Sequence, residues 1–310
     1  MDSSLHAFRI TSTDLIRDAE RALKWIGELG VHYAPTRFPK YLRVLRDQLS
    51  LAGQEREVYV RELRKIIFTA TAELYDLVSI YKALAGGNDS LYLQRLRDVL
   101  SGPELSVDES IKAASNRARN IGFELMLTAR ISSHGGLIDS ASDADIAVIH
   151  NSKQYFIECK RAQSVPNVRK LLGVASDQLQ RHYEKSTNVH AKGAIFVDIS
   201  KACNPDSIIY PCHGQGEVDK TLQSQCEEVA SSILKSMSAP APSKTLGVHL
   251  WNRQTFLLAG SSKTDLIVSE LLATCLTQPG QDNFATLYGI GSLTRPPERY
   301  VTRATMCERR

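Results

Sequence analysis

Apolar and polar positions along the chain change period several times, and each change predicts an element. Apolar residues recur at helical spacing from Asp14-Leu15-Ile16, after Ser12-Thr13, and again over Tyr41 to Leu51, Val58 to Leu84 and Leu91 to Leu100. Gly30, Pro35, Pro39, Gly53 and Gly86-Gly87-Asn88 separate these runs, which predicts a helical domain over residues 1–104. Stripes such as Leu63, Ile66, Ile67, Ala70 and Leu74 are the faces by which such helices pack.

Residues 105–310 mix helix and strand periods. Ser106 can cap a helix whose first turn, Val107-Asp108-Glu109, is acidic and complements the helix dipole. Ile111, Ala114, Ala118, Ile121 and Leu125 form its apolar stripe, with Glu124 at the edge. Gly135-Gly136 ends it, and Leu137-Ile138 is expected to be a first strand. The runs Ile146 to His150 and Tyr155 to Arg161 alternate apolar and β-branched residues, and Asn151-Ser152-Lys153 between them is turn chemistry, which predicts a hairpin. Beyond Pro166 a helix runs through Leu171, Leu172, Val174, Ala175 and Leu179, and Lys192 to Ile199 reads as a buried strand. Val218 to Met237 and Thr264 to Thr277 read as helices, Ser238 to Lys244 as a linker, and Val248 to Leu258 as one or two strands.

The hairpin carries the chemistry. Successive strand side chains point to opposite faces, so Glu158 and Lys160 share one face, and a two-residue loop at Asn151-Ser152 or Ser152-Lys153 sets Asp145 opposite one or the other. Converging carboxylates repel unless a cation lies between them, and Mg²⁺ typically takes one or two such ligands plus substrate phosphate. An ammonium beside it can orient water and neutralise charge on a phosphoryl group, so these parts suit phosphodiester hydrolysis. Asp143 has the same parity, but Asp145 directly precedes the apolar run and is preferred. His134 and His182 can transfer protons, although lone histidines usually carry no chemistry.

Asp145 followed by Glu158-Cys159-Lys160 resembles the signature of the PD-(D/E)xK, or restriction-endonuclease-like, nucleases, with Ala144 in place of the usual Pro. The resemblance implies an α/β fold with an αβββαβ core, preceded here by the helical domain. It implies a Mg²⁺ or Mn²⁺ site formed by Asp145, Glu158, the backbone carbonyl of Cys159 and Glu124, with Lys160 activating the nucleophile. It also implies a Gln facing the site from the second helix, where Gln178 is the candidate and Gln180 a competitor. The implied activity is DNA cleavage in bacterial antiviral defence, restriction or repair. RNA cleavage by the same residues, and a non-catalytic nucleic-acid-binding or assembly module, are the alternatives.

The net charge of +4 is mild, but between Asn151 and Ser200 eight Lys or Arg face four acids, an excess that can track a phosphate backbone. Arg117 and Arg119 on the preceding helix are expected to add to it. Six cysteines are too sparse for a disulfide framework, and Cys203, Cys212, His213 and Cys226 lack the Cys-x-x-Cys spacing of common zinc sites. The chain shows no run apolar enough for a membrane helix and no signal-peptide core at its polar start, so the cytoplasm is the expected compartment. It carries no Gly-x4-Gly-Lys-Ser/Thr motif, so any NTPase motor would be a separate partner; homo-oligomerisation stays open.

Overall fold

The computed structural model describes residues 3–85, 92–105, 113–236, 244–258, 265–276, 281–294 and 301–307. The proposed cap at Ser106 and residues 238–243 of the linker lie outside them. Five helices follow the N-terminal periodicities: α1 (Ser12–Glu28), α2 (Phe38–Ser50), α3 (Gly53–Glu62), α4 (Arg64–Leu84) and α5 (Leu93–Leu100). The stripe from Val58 to Leu84 is divided at Leu63, which caps α3 and opens α4. Thr11 caps α1, its Oγ1 accepting from Asp14 N at 3.2 Å. The next stretch runs α6 (Ala113–Ser133), β2 (Leu137–Ile138), β3 (Ile146–His150), β4 (Lys153–Arg161), α7 (Val165–Lys185) and β5 (Lys192–Asp198).

Two segments differ from expectation. Ser3–Thr11, inside the region read as helical, is strand β1, and Asp265–Leu276, read as a helix, is strand β8. The strand β7 (Thr245–Leu258) lies on one side of β8 and β1 on the other, so β8 is a central strand. Leu266 to Ala273 are buried on both faces, and a near-continuous apolar run does not distinguish helix from doubly buried strand. β1 pairs with β8 and β9 (Val301–Cys307), partners more than 250 residues away, so nothing local in sequence marks it. The remaining elements are α8 (Ser200–Cys203), β6 (Tyr210–Cys212), α9 (Gln215–Ser236) and α10 (Gln281–Leu293).

The strands form one mixed sheet ordered β2-β3-β4-β5-β7-β8-β1-β9, with β6 beside β7. β4, β5 and β7 run parallel, and β2, β3 and β4 are antiparallel neighbours. Alternation along each strand feeds two cores. Ile146, Val148, Ile157 and Phe196 join the buried faces of α1, α2, α4 and α6. Ala147, Phe156, Ile195 and Val197 join those of α7 and α9 on the other side. The sheet is therefore a middle layer between two layers of helices, and the helices of the first hundred residues share a core with α6.

Two local features fix the site-bearing strands. Asn151 (φ 49°) and Ser152 (φ 61°) make the β3–β4 turn in the left-handed region that a tight two-residue hairpin requires. Gly136 lets the end of α6 approach β3, since a Cβ there would lie 2.5 Å from Ile131 Cγ2. On the helix side, the fully buried Arg130 of α6 donates to Glu270 of β8 at 2.7 Å and to Ser79 of α4 at 2.9 Å. This ties α6 to the sheet.

Candidate functional site

The β3–β4 register pairs Ile146 with Ile157, so the next position, Asp145, faces Glu158. Asp145 Oδ2 accepts from the Cys159 backbone N–H at 2.8 Å and from Lys160 Nζ at 2.9 Å. The same ammonium donates to Glu158 Oε2 at 2.9 Å. The three expected residues are thus one hydrogen-bonded cluster, with Lys160 bridging the two carboxylates. Glu158 is fully buried, Lys160 is 12% exposed and Asp145 22%.

Burial pushes the Glu158 carboxyl up, and the charge of Asp145 adds to this while Lys160 opposes it. For Lys160, burial works downward, but the two carboxylates outweigh it and raise the ammonium above its ordinary value. A carboxylate pair and a persistently charged ammonium are therefore held in one partly dry place.

The other oxygen of Glu158 meets His182 Nε2 of α7 at 3.0 Å, and His182 Nδ1 meets Asp143 Oδ1 at 3.0 Å. Asp143 Oδ2 in turn accepts from Lys185 Nζ at 2.6 Å. Asp143 is thus coupled to the site through His182. Gln178, the α7 residue expected to face the site, has a buried Oε1 without a hydrogen-bond partner. His182 is one helical turn further on, and it is this residue that reaches Glu158.

Glu124 of α6 accepts from Arg95 of α5 at 2.5 Å. Its carboxyl is pushed up to about 7 by burial and by the charge of Asp145, with Arg95 opposing. It is close enough to feel the cluster but hydrogen-bonded elsewhere. Arg95, from a helix with no motif, carried no sequence signal. Cys159 meets the site through its N–H, while burial holds its thiol well above the ordinary range.

Asp145 Oδ2 and Glu158 Oε2 both touch one ammonium, so they are close enough to share a cation, and two carboxylates match the protein share of many Mg²⁺ sites. Among the described residues no group of three or more His, Cys, Asp or Glu is arranged to hold a metal. Asp145 and Glu158 are the residues that could hold a divalent ion once Lys160 yields the shared position, while Glu124 is paired with Arg95.

A cleft of about 420 Å³ opens beside Asp145. Tyr92, Arg95, Thr128 and Ser132 form one wall, and Ser140 and Ser142 part of the other. On α7, Arg169, Lys170, Arg181 and Lys185 are exposed. Arg119, expected to join this basic surface, is instead buried against Glu73, its Nε donating at 2.7 Å. Comparison with protein-family models, with curated proteins and with solved structures finds no match for this chain.

Proposed function

We propose that the chain is a divalent-metal-dependent phosphodiesterase of the PD-(D/E)xK class that cleaves nucleic acid, DNA before RNA. The observation that carries this reading is the cluster of Asp145, Glu158 and Lys160 on two adjacent strands, within a helix, three strands, helix, strand succession. The ion, when bound, supplies polarisation of the scissile phosphate and activation of water. Asp145 and Glu158 would hold it. The Cys159 N–H fixes the Asp145 carboxylate, and His182 fixes that of Glu158, so neither has to be reorganised at the moment of reaction. Lys160, released from its bridge, orients the attacking water and offsets charge building on the phosphoryl oxygens. The cleft beside Asp145 has Arg95, a cation suited to phosphate, among its lining residues, and α7 carries further exposed cations outside that lining.

The closed Lys160 bridge favours a second reading, a nucleic-acid-binding module in which the three residues are a structural ion pair. Purified protein with Mg²⁺ or Mn²⁺ and a panel of supercoiled, linear and single-stranded DNA and RNA separates the two. The nuclease reading expects cleavage of a DNA substrate that stops with EDTA and is absent from folded Asp145→Asn and Glu158→Gln variants. Cleavage that survives both substitutions would overturn it.

A further inference from the structure

The cleft at Asp145 is walled by α5, α6, the edge strand β2 and the loop from β2 into β3. Of the three clustered residues Asp145 lines it, while Glu158 is fully buried and Lys160 nearly so. A phosphate that meets this cluster from the Asp145 side must therefore enter a recess, and cannot be met on an open surface.

Arg95 is the one cation among the described residues that line the cleft. Its Nη2 donates to Glu124 at 2.5 Å, and the Glu124 carboxyl in turn feels the charge of Asp145, so Arg95 is held close to the cluster. A guanidinium carries five N–H donors, enough to bond a phosphate while keeping that contact. Three residues earlier on α5, the half-buried Tyr92 lines the same wall. Helix positions three apart are neighbours, with Cβ atoms about 5–6 Å from each other, so a phosphate-binding cation and an aromatic ring stand side by side. That combination is how proteins take hold of an unpaired strand.

The rim adds apolar surface. Leu137 of β2, 68% exposed, lines the cleft and pairs across the sheet with Ile149, itself 41% exposed. Exposed Ser132 and Ser140 stand among the lining residues, so apolar side chains are bordered by hydroxyls that can bond a base edge. The volume of about 420 Å³ is in the range of pockets that enclose a small molecule, about 300–1,000 Å³, which suits one nucleotide and excludes a double helix. We infer that the cleft takes one unstacked nucleotide, its phosphate on Arg95 and its base against Tyr92 and Leu137, so that the substrate class is single-stranded DNA. The identity of the polymer rests on the nuclease reading; the shape and chemistry of the cleft do not.

The test is fluorescence anisotropy with a short labelled single strand and with the blunt duplex of the same sequence, at constant ionic strength, in EDTA and again in Ca²⁺, so that binding is read apart from cleavage. The single strand should bind about tenfold tighter than the duplex. Arg95→Met should weaken it about tenfold, as expected for losing one charge-assisted contact. Leu137→Glu, at an exposed position that leaves the fold intact, should do the same, Leu137→Met should bind as the wild type does, and Val189→Glu, equally exposed but outside the cleft lining, should have little effect. Equal affinity for single strand and duplex, no binding in either condition, or the same loss in Val189→Glu as in Leu137→Glu would overturn the inference. Single-strand binding without cleavage in Mg²⁺ would remove the nuclease reading and leave the cleft assignment standing. Duplex cleavage at an unchanged rate in Arg95→Met and Leu137→Glu would do the reverse.

Discussion

Replacing Lys160 with Met keeps the length of the side chain and removes its charge. In the wild type Lys160 Nζ donates to Asp145 and to Glu158 at 2.9 Å each, and Glu158 is fully buried. Breaking a buried ion pair from one side costs about 3–5 kcal/mol, and because Asp145 keeps 22% exposure and regains water, the lower figure of about 3 kcal/mol applies. For a chain of this size that corresponds to a fall in Tm of about 5 °C. The same substitution leaves two carboxylates facing each other without a cation. A divalent ion should then bind more readily than in the wild type, where it must displace the ammonium. At a hundredfold excess over Kd, Mn²⁺ would restore about 2.7 kcal/mol, nearly all that was lost. Thermal denaturation of both proteins with and without Mn²⁺, near neutral pH, measures each quantity. The reasoning fails if Lys160→Met melts within about 1 °C of the wild type and ignores Mn²⁺.

Arg130→Met should cost about 3–5 kcal/mol, because it leaves Glu270 buried without its partner, and adding Glu270→Leu should recover most of this in chemical denaturation. An equal loss in the double variant would mean that packing, not charge, sets the cost. His182→Gln should leave the fold intact and lower the cleavage rate with little change in DNA affinity, since His182 touches Glu158 and not the cleft; loss of affinity alone would contradict its positioning role. For Asp198, burial pushes the carboxyl up, but Arg161 and Arg253 outweigh it and hold the group below its ordinary value. Its contribution is therefore fully present above about pH 4 and is lost as pH falls through the depressed value. Asp198→Asn should be less stable than the wild type at neutral pH and should converge with it in acid, as measured by denaturation across pH; a constant gap would refute this linkage.

The hairpin is the most legible part of the molecule, because turn chemistry at Asn151-Ser152-Lys153 and alternation predict it, and both registers the sequence leaves open put Asp145 on the face of Glu158 and Lys160; the structure takes the Asn151-Ser152 loop. The convergence of Asp145, Glu158 and Lys160 on one face follows from strand parity in either register. What surrounds them was not legible to the same degree. His182 reaches Glu158 because α7 packs on one particular face of β4, and Arg95 reaches Glu124 because α5 packs on α6. Both depend on tertiary placement that periodicity does not encode. β8 reads as a helix for a related reason. Its neighbour β1 comes from the far end of the chain, so its burial on both faces is a property of the assembled sheet, and its apolar run alone has the length of a helix. Arg119 reads as a surface cation in sequence, yet Glu73 and two backbone carbonyls draw it inside.

The central claim is that Asp145 and Glu158 together hold a divalent ion. Electron paramagnetic resonance of Mn²⁺ titrated into the purified protein tests this without requiring a substrate or a partner. The account predicts one tightly held Mn²⁺ per chain, released by EDTA, weakened at least tenfold in Asp145→Asn and in Glu158→Gln, and tightened in Lys160→Met. Mn²⁺ that remains free in the wild type and in Lys160→Met alike, or that binds equally well to the Asp145 and Glu158 variants, would contradict it.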